Sequence, residues 1–294
     1  MLVSLKEIMD YACKNGNAVG AFNCCNYESV AAVVGAAEEL DIPVIISYAE
    51  VHKDIISIND IAPIMLHFAK KSKVPVCVHF DHGVSLESCV EAMREGFTSV
   101  MIDASAKSYE ENVKITSQVV KLAHHMGITV EAELGHIFSS EMGMGAKKAL
   151  EEIESAESFQ DVNDVYTDPD VAKDFVTKTG VDVLAIAFGT SHGVYIKKPV
   201  LDLERITRIK EKIDIPFVMH GGSGLSEAEY RQAIKNGIRK INYYTYMTLA
   251  GGKAVKDAMD TKRNEENVFF HEIPLLAIDK MKDNVKEAMK IFTL

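Results

Sequence analysis

Three histidines occupy places in the sequence where a protein could bind a metal ion. His82, His192 and His220 each follow an apolar run, and a glycine comes directly after each of them. A glycine leaves space for a ligand to approach the imidazole ring. Three histidines with one open coordination position are typical of a catalytic zinc site. The spacing also fits three separate hydrogen-bonding histidines, and by itself it does not distinguish the two interpretations.

Acidic residues accompany these histidines. Asp81 directly precedes His82, where a carboxylate could remove a proton from a substrate hydroxyl. A metal ion, an aspartate base and an anion site together suit chemistry at a carbon next to a carbonyl group. Asp103 and Glu133 also stand at the ends of apolar runs. They are candidates for a second cation site, for hydrogen-bond partners of the metal ligands, or for ordinary polar residues at strand ends.

The other histidines lack this context. His79 lies three residues before His82, and alternation along a strand predicts that its side chain faces away from the metal cluster in a structural role. The histidines that we expect to be structural or at the surface are His52, His67, His124, His125, His136 and His271.

The glycine-rich segment HGGSGL, residues 220–225, offers backbone N–H groups to an anion. It follows the seventh apolar run, and α/β barrels commonly bind phosphate with the loops after strands seven and eight. Lys197 is a candidate counter-charge, although Lys197 and Lys198 also fit a solvated surface pair. The candidate substrate-binding residues are Asn23, Gly193, Lys197, Gly221, Gly222, Ser223, Asn242, Tyr243, Tyr244 and Thr245.

Eight short apolar runs, rich in β-branched residues, would position these side chains. The runs are AVGAFN (18–23), VIISY (44–48), VCVHF (76–80), SVMID (99–103), TVEAEL (129–134), VLAIAF (183–188), FVMHG (217–221) and KINYYT (240–245). Segments with helical periodicity lie between them. Apolar strands that alternate with helices predict a parallel sheet covered on both faces. Eight such units predict a (β/α)8 TIM barrel of the α/β class, with the active site at the carboxyl ends of the strands.

Two features depart from this alternation within the single domain that we predict for residues 1–294. Residues 135–166 form a long connection, which is typical of a mobile loop over a site. Extra helices are predicted at both termini. The C-terminal one, within residues 262–294, would close the barrel or pack on a neighbouring subunit.

Composition excludes several classes of partner. The net charge of −11 and the pI near 5.4 argue against nucleic acid and against an anionic membrane surface. A phosphorylated metabolite remains compatible, because it needs only a local positive site. The five cysteines form no CxxC pair and are interpreted as free thiols of a reducing cytosol. We see no signal peptide and no apolar run near the ~18 residues of a membrane span.

The motifs occur together in an order that resembles a known family. AFN, FDHG, MIDAS, EAELG, AFGTSHGVY, HGGSGL and a last strand ending in Asn-x-x-Thr follow one another along nearly the whole chain. This order is similar to that of the class II, zinc-dependent ketose-bisphosphate aldolases. The resemblance implies a cytoplasmic lyase that cleaves a phosphorylated ketose to dihydroxyacetone phosphate and an aldehyde.

The resemblance also implies roles for individual residues. His82, His192 and His220 would be the zinc ligands, and Asp81 would act on the C4 hydroxyl. Glu141, in the long loop, would handle the proton at C3. The glycine-rich segment and residues 242–245 would hold the dihydroxyacetone phosphate end, and Asp103 and Glu133 would lie near a second, monovalent cation. Homodimers or homotetramers are expected.

The sequence departs from the family where the far end of a bisphosphate would bind. Thr248 stands where such enzymes carry arginine or lysine, and Tyr244 stands where they carry aspartate or alanine. Ala49 replaces a serine, and no arginine occurs around Pro274. A second phosphate without a cation would be costly to bury. These departures predict a ketose 1-phosphate whose distal end is not a phosphate, or is a different anion held by other groups.

Two other functions are compatible with these motifs. A zinc-dependent isomerase or epimerase would use the same metal without breaking a carbon–carbon bond. A non-catalytic partner subunit of an aldolase would be free to lose the metal and acid residues. The presence of all three histidines and Asp81 argues against the second alternative.

Overall fold

Eight parallel strands close into a barrel in the computed structural model, which describes residues 1–140, 165–195, 199–261 and 269–293. The barrel strands are β2 (Val19–Asn23), β3 (Val44–Ala49), β4 (Val76–Gly83), β5 (Ser99–Ile102), β6 (Thr129–Leu134), β8 (Val183–Ile186), β10 (Phe217–Met219) and β11 (Ile238–Tyr243). Each strand pairs in parallel with the next, and β11 pairs with β2 to close the ring. Each apolar run of the sequence contributes one strand, which confirms the predicted (β/α)8 fold.

In the part of the chain that the structure describes, three further short strands lie outside the ring. β1 (Leu2–Val3) pairs in parallel with the start of β4. β7 (Phe138–Ser140) and β9 (Ser191–Gly193) pair with each other in a separate two-stranded sheet. Because β7 follows β6 and β9 follows β8, this small sheet extends the carboxyl rim of the barrel, where His192 is located.

Helices follow the strands, and most begin at a polar cap. They are α1 (Leu5–Asn15), α2 (Tyr27–Leu40), α3 (Ile58–Lys71), α4 (Leu86–Arg94), α5 (Tyr109–His125), α6 (Pro169–Thr179), α7 (Leu203–Lys210), α8 (Glu227–Asn236), α9 (Thr245–Thr261) and α10 (Ile273–Phe292). Ser4, Asn26, Ser85, Ser108 and Ser226 each form a capping box that satisfies the first N–H groups of a helix. The predicted terminal helices are α1 and α10, and α10 packs against α2 and α9.

Apolar side chains fill the amino-terminal half of the barrel interior. Leu5, Ile8 and Met9 of α1 are buried and close this end of the barrel. The inward-facing strand residues that pack with them are Val19, Ala21, Ile45, Cys77, Met101, Val183, Ala185 and Val218. α1 therefore excludes water from the amino-terminal end of the barrel. The carboxyl-terminal end remains open for a site.

A layer of buried polar residues lies above this apolar plug. Lys240 Nζ is 2.9 Å from Glu131 Oε2, and both side chains are fully buried. His79 Nε2 lies 3.6 Å from Glu131 and 3.7 Å from Asp81, so the prediction that His79 faces away from the site is wrong. Its position follows from strand alternation with Asp81, two residues later. A buried charge is costly unless it is paired, so each charged side chain of this layer depends on the others.

Some of the features predicted from the sequence lie outside the described residues. Most of the predicted mobile loop, residues 135–166, lies outside the described residues, and so do Glu141 and Lys197. Within the described part of the chain, no helix has both the length and the apolar character needed to cross a bilayer.

Candidate active site

A cavity of about 360 Å³ opens at the carboxyl ends of the barrel strands. The predicted site residues that line it are Asn23, Asp81, His82, Asp103, Glu133, His192, Gly193, Gly221, Ser223, Asn242, Tyr243, Tyr244 and Thr245. They come from four barrel strands (β2, β4, β6 and β11), from β9, and from the segments that follow β5, β10 and β11, so the fold brings together residues far apart in sequence. Gly222 lies beside the cavity, where its backbone packs near Ile241 and Asn242.

Two of the three predicted metal ligands, His82 and His192, line this cavity, and His220 lies fully buried beside them. One ring nitrogen from each of His82, His192 and His220 lies within 4.8 Å of the other two. His82 Nε2 and His220 Nδ1 are 2.9 Å apart. Three imidazoles from three separate strands converge on one point, which makes the cluster a candidate metal centre.

Carboxylates hold the far side of two of these imidazoles. His82 Nδ1 is 3.0 Å from Asp103 Oδ2, and His220 Nε2 is 2.8 Å from Glu131 Oε1. Each carboxylate is placed to accept the N–H of its histidine, so the opposite nitrogen of each ring would be the one that binds a metal ion. Carboxylate–histidine pairs of this kind fix the tautomer and orientation of metal ligands. The donor set therefore fits a divalent metal ion such as zinc.

Burial and neighbouring charges separate the pKa values of the histidines. Burial, together with charge on His82 and His220, lowers the pKa of His192 to about 3. Burial also lowers the pKa of His220. Burial opposes the charged form of His82 as well, but the Asp81 and Asp103 carboxylates outweigh it and raise its pKa to about 10. The acidic surroundings of His82 would equally favour a bound cation.

Asp81 lies beside the cluster and is fully buried. It accepts hydrogen bonds from Asn23 Nδ2 at 3.0 Å and from Asn242 Nδ2 at 3.1 Å. Although burial alone would raise the pKa of Asp81, His82 and His79 hold it well below its usual range. The group is therefore a carboxylate, which is the form that accepts a proton.

An irregular backbone brings both Asp81 and His82 to the cavity. Neighbouring residues of a regular strand point to opposite faces. Here the β4–β5 register shifts between Phe80 and Gly83, and His82 has a left-handed φ of 50°. Such a bulge redirects one side chain, and non-glycine residues in this backbone conformation are uncommon and are enriched at functional sites. The strain at His82 therefore allows adjacent residues to serve as base and ligand.

Comparison with known proteins decides the family. The family model described as class II fructose-bisphosphate aldolase matches residues 3–294. The chain belongs to this aldolase family. The Escherichia coli protein YdjI is 37% identical over 292 residues, which cover 99% of this chain and 98% of YdjI. A Staphylococcus epidermidis protein named fructose-bisphosphate aldolase is 36% identical over 293 residues, or 98% of this chain and 95% of that protein.

A solved structure agrees with this assignment. The X-ray structure described as the YdjI aldolase of Escherichia coli superposes with a TM-score of 0.84 at 34% identity. The match covers 99% of this chain and 97% of YdjI. As a member of this family, the protein is an aldolase, that is, a carbon–carbon lyase.

The glycine-rich side of the aldolase cavity is built on close backbone contacts. Gly221 has a φ of 63°, and a Cβ there would lie 2.4 Å from the carbonyl oxygen of Ser191. Ser223 Oγ accepts the N–H of Tyr244 at 3.1 Å. Helix α9 begins at Thr245, directly at the cavity, so its first unpaired N–H groups face the same region. This arrangement suits an anion.

Two residues behind the aldolase site were not predicted. Lys240 Nζ donates to Asn242 Oδ1 at 2.7 Å, which directs the amide Nδ2 of Asn242 at Asp81. Glu131 contacts both Lys240 and His220. The sequence contains a signal that could have found them, since each is a charged residue inside an apolar strand run. Such residues are rarely buried without a specific partner.

Asp103 and Glu133 lie on the other side of His82. Ser105 Oγ is 2.7 Å from Asp103 Oδ1 and 3.1 Å from Glu133 Oε1. Burial and the Asp103 charge raise the pKa of Glu133 well above its usual range. Asp103, Glu133 and His82 also present ligand atoms within 4.8 Å of one another, which leaves the second cation site as a prediction.

Tyr243, the last residue of β11, and Tyr244, which follows it, have different roles. The Tyr243 hydroxyl donates to Asn284 Oδ1 of α10 at 3.1 Å, and its ring packs on Phe22 and Phe292. Tyr243 borders the cavity, but its side chain is committed to this helix contact, so the prediction that it binds substrate finds no support. Tyr244 lines the cavity, and its ring centroid lies 4.9 Å from that of His52.

Two histidines expected to be structural or exposed line the aldolase cavity instead. His52 is only 7% exposed and follows β3 in a short 3-10 helix, Glu50–Asp54. His136 is half-buried and follows β6. Neither residue is followed by a glycine, the feature that marked His82, His192 and His220. The exposed histidines His124 and His125 are at the surface, as predicted.

Proposed function

We propose that the protein is a zinc-dependent aldolase that cleaves a ketose 1-phosphate to dihydroxyacetone phosphate and an aldehyde without the usual distal phosphate. One observation supports this most directly. A buried, ionised aspartate lies beside three convergent histidines, and two amides orient it. Family membership favours cleavage over the isomerase or epimerase alternative. The assembled base and ligands argue against a non-catalytic partner subunit.

The zinc ligands in this proposal are His82, His192 and His220, each through the ring nitrogen that faces the cluster. The chemistry that zinc supplies in such a site is Lewis-acid stabilisation of negative charge that develops on a substrate oxygen. Asp103 and Glu131 act through the protein, because they hold the rings of His82 and His220 in place.

Asp81 performs the proton transfer that starts cleavage. It removes the proton of the C4 hydroxyl, and the C4–O electrons form the aldehyde carbonyl as the C3–C4 bond breaks. The electron pair of that bond stays with the three-carbon fragment, which takes up a proton at C3. Asn23 and Asn242 keep the carboxylate oriented toward the hydroxyl. Glu141 remains the predicted donor to C3.

Backbone groups hold the phosphate of the three-carbon end. Gly193, Gly221 and Ser223 line one side of the cavity, and the first turn of α9 faces the same space. A helix N-terminus stabilises an anion through its free N–H groups and its dipole. Lys197 remains a candidate counter-charge.

The electrostatics of the cavity argue against a second phosphate. The Asp81 and Asp103 carboxylates line it, whereas no lysine or arginine of the described ranges does. Thr248, where family members carry a cation, lines a neighbouring groove on α9 instead. A desolvated phosphate without a cationic partner is costly.

We therefore expect the enzyme to cleave fructose 1-phosphate or tagatose 1-phosphate with at least about tenfold higher kcat/KM than the matching 1,6-bisphosphate. One unpaired charged group in a partly desolvated site is enough for a difference of this size. Release of dihydroxyacetone phosphate from each of the four sugars measures it. Faster turnover of either bisphosphate would contradict the prediction.

Removal of the metal is expected to abolish cleavage. After dialysis against a chelator, activity should fall below about 1% of the starting value, because a Lewis acid contributes several kcal/mol to such a reaction. One equivalent of zinc should restore it. His192→Ala should bind substoichiometric zinc by mass spectrometry, whereas the exposed control His125→Ala should bind one equivalent. Full activity in chelator-treated, zinc-free protein would refute the metal assignment.

We also propose a cytoplasmic location and a homodimer or homotetramer. Exposed apolar side chains near α10 support self-association, since Phe269, Phe270 and Leu275 are 59%, 82% and 59% exposed. Clusters of this kind usually mark an interaction surface.

A further inference from the structure

We propose that His52 and Tyr244 form a subsite that binds the distal end of the substrate through an uncharged hydroxyl group. The subsite rests on the proposed function, because it orients the aldehyde half of the same ketose phosphate. It would decide which aldehydes the enzyme accepts.

The position of His52 relative to the base follows from sheet register. Ala49 of β3 is the direct ladder partner of Asp81 in β4, and the chain continues from Ala49 into Glu50–Asp54. His52 therefore lies on the side of Asp81 away from β8 and β10, whose loops supply the glycine-rich anion pocket. A substrate with its phosphate in that pocket and its C4 hydroxyl on Asp81 extends its remaining carbons toward His52.

The two aromatic rings pack against each other at the cavity, with their centroids 4.9 Å apart. His52 and Tyr244 both line it, with ring planes inclined at 43°. His52 Nδ1 is buried and has no hydrogen-bond partner within the described ranges. Asn23 lies on β2, between β3 and β11. Its Oδ1 is also buried without a hydrogen-bond partner in the described ranges, and its Nδ2 donates to Asp81. Buried polar atoms without partners are uncommon in folded proteins, and a ligand hydroxyl would satisfy them.

The segment that carries His52 is held in place before any ligand arrives. Tyr48 Oη donates to the carbonyl oxygen of Ile56 at 2.8 Å, which closes the turn around His52. The N–H of Val84 donates to Glu50 Oε2 at 2.8 Å, which ties the 3-10 helix to the loop after β4. A fixed imidazole loses little entropy when it binds a hydroxyl group.

Charge selects the kind of group that fits. Burial lowers the pKa of His52, so the ring is neutral at physiological pH and offers one donor and one acceptor. Tyr244 adds a phenol, which is likewise uncharged. Asp81 lies near enough to His52 to influence its charge, and it repels a distal anion. A hydroxyl can both donate and accept, and it matches this set.

The test measures aldol condensation of dihydroxyacetone phosphate with lactaldehyde, glyceraldehyde and glyceraldehyde 3-phosphate. Lactaldehyde and glyceraldehyde differ only in the distal hydroxyl. We expect the wild type to prefer glyceraldehyde over lactaldehyde by about tenfold in kcat/KM, as one hydrogen bond in a desolvated site allows. His52→Phe, which keeps an aromatic ring against Tyr244, should reduce this ratio to about one. Tyr244→Phe should reduce it partly, and the exposed control His125→Phe should leave it as in wild type.

The outcomes distinguish failure of the subsite from failure of the proposed aldolase function. Exchange of the C3 proton of dihydroxyacetone phosphate with solvent reports the three-carbon half alone. If wild type shows neither exchange nor condensation, the proposed function fails, and the subsite fails with it. If exchange and condensation occur but His52→Phe keeps the wild-type ratio, the subsite alone is wrong. A wild-type preference for glyceraldehyde 3-phosphate over glyceraldehyde also overturns it.

Discussion

Replacing Asp81 with asparagine is expected to lower kcat for cleavage by about a thousandfold, within the range that a positioned general base contributes. The amide has nearly the shape of the carboxylate but cannot accept the C4 proton. Its surroundings also oppose it, because Asn23 and Asn242 both direct amide N–H groups at this position. The exchange of the C3 proton of dihydroxyacetone phosphate does not involve the C4 hydroxyl. It should therefore persist in Asp81→Asn.

A matched control is Asn23→Ala, which removes one hydrogen bond to Asp81 and keeps the carboxylate. It should lower kcat far less than Asp81→Asn does. Zinc content, measured on both variants, separates loss of the base from loss of the neighbouring metal site. Asp81→Asn with cleavage within about tenfold of wild type would exclude Asp81 as the base.

Replacing Lys240 with methionine should damage both stability and activity. Removing one partner of a buried ion pair leaves an uncompensated charge, which typically costs about 3–5 kcal/mol of unfolding free energy. Here the orphaned group is Glu131, which is fully buried. Activity should fall as well, because Asn242 loses the donor that orients its amide toward Asp81. Urea unfolding and steady-state cleavage rates measure the two effects.

Two further variants make this prediction specific. In Lys240→Met/Glu131→Gln the uncompensated charge is gone, so most of the lost stability should return. Activity should stay low, because His220 then faces a neutral amide and Asn242 remains unoriented. Lys253→Met removes an exposed ion pair with Asp257 and should leave both quantities as in wild type. If Lys240→Met behaved like Lys253→Met, the buried network would have no role in positioning the site.

Most of the fold could be predicted from the sequence, because a parallel barrel strand is buried on both faces. Its residues must then be apolar over four to six positions, and β-branched residues pack well there. All eight strands show this composition, and glycine-rich or polar segments separate them. The strands can therefore be predicted from local composition and spacing, without knowledge of any tertiary contact.

The sequence predicts the candidate site only in part. The alternation of side chains along a strand, which holds for most of the barrel, fails at the end of β4. Alternation places Asp81 and His82 on opposite faces, yet both line the cavity because of the bulge and the left-handed φ at His82. A bulge depends on pairing with β5, which lies about twenty residues further along the chain. His79 shares the inner face of β4 with Asp81, two residues later, because it is His82 that departs from the regular alternation.

The sequence by itself determined the eight strands, the order of the motifs, the three histidines, Asp81 and the glycine-rich segment. These features depend on residue type and local spacing. Only the tertiary structure decided that the buried ion pair of Lys240 and Glu131 lies behind the site and that the rings of His52 and Tyr244 pack together at the cavity. Each of those contacts joins residues more than one hundred positions apart. Barrel closure and strand register set such distances, and no local pattern records them.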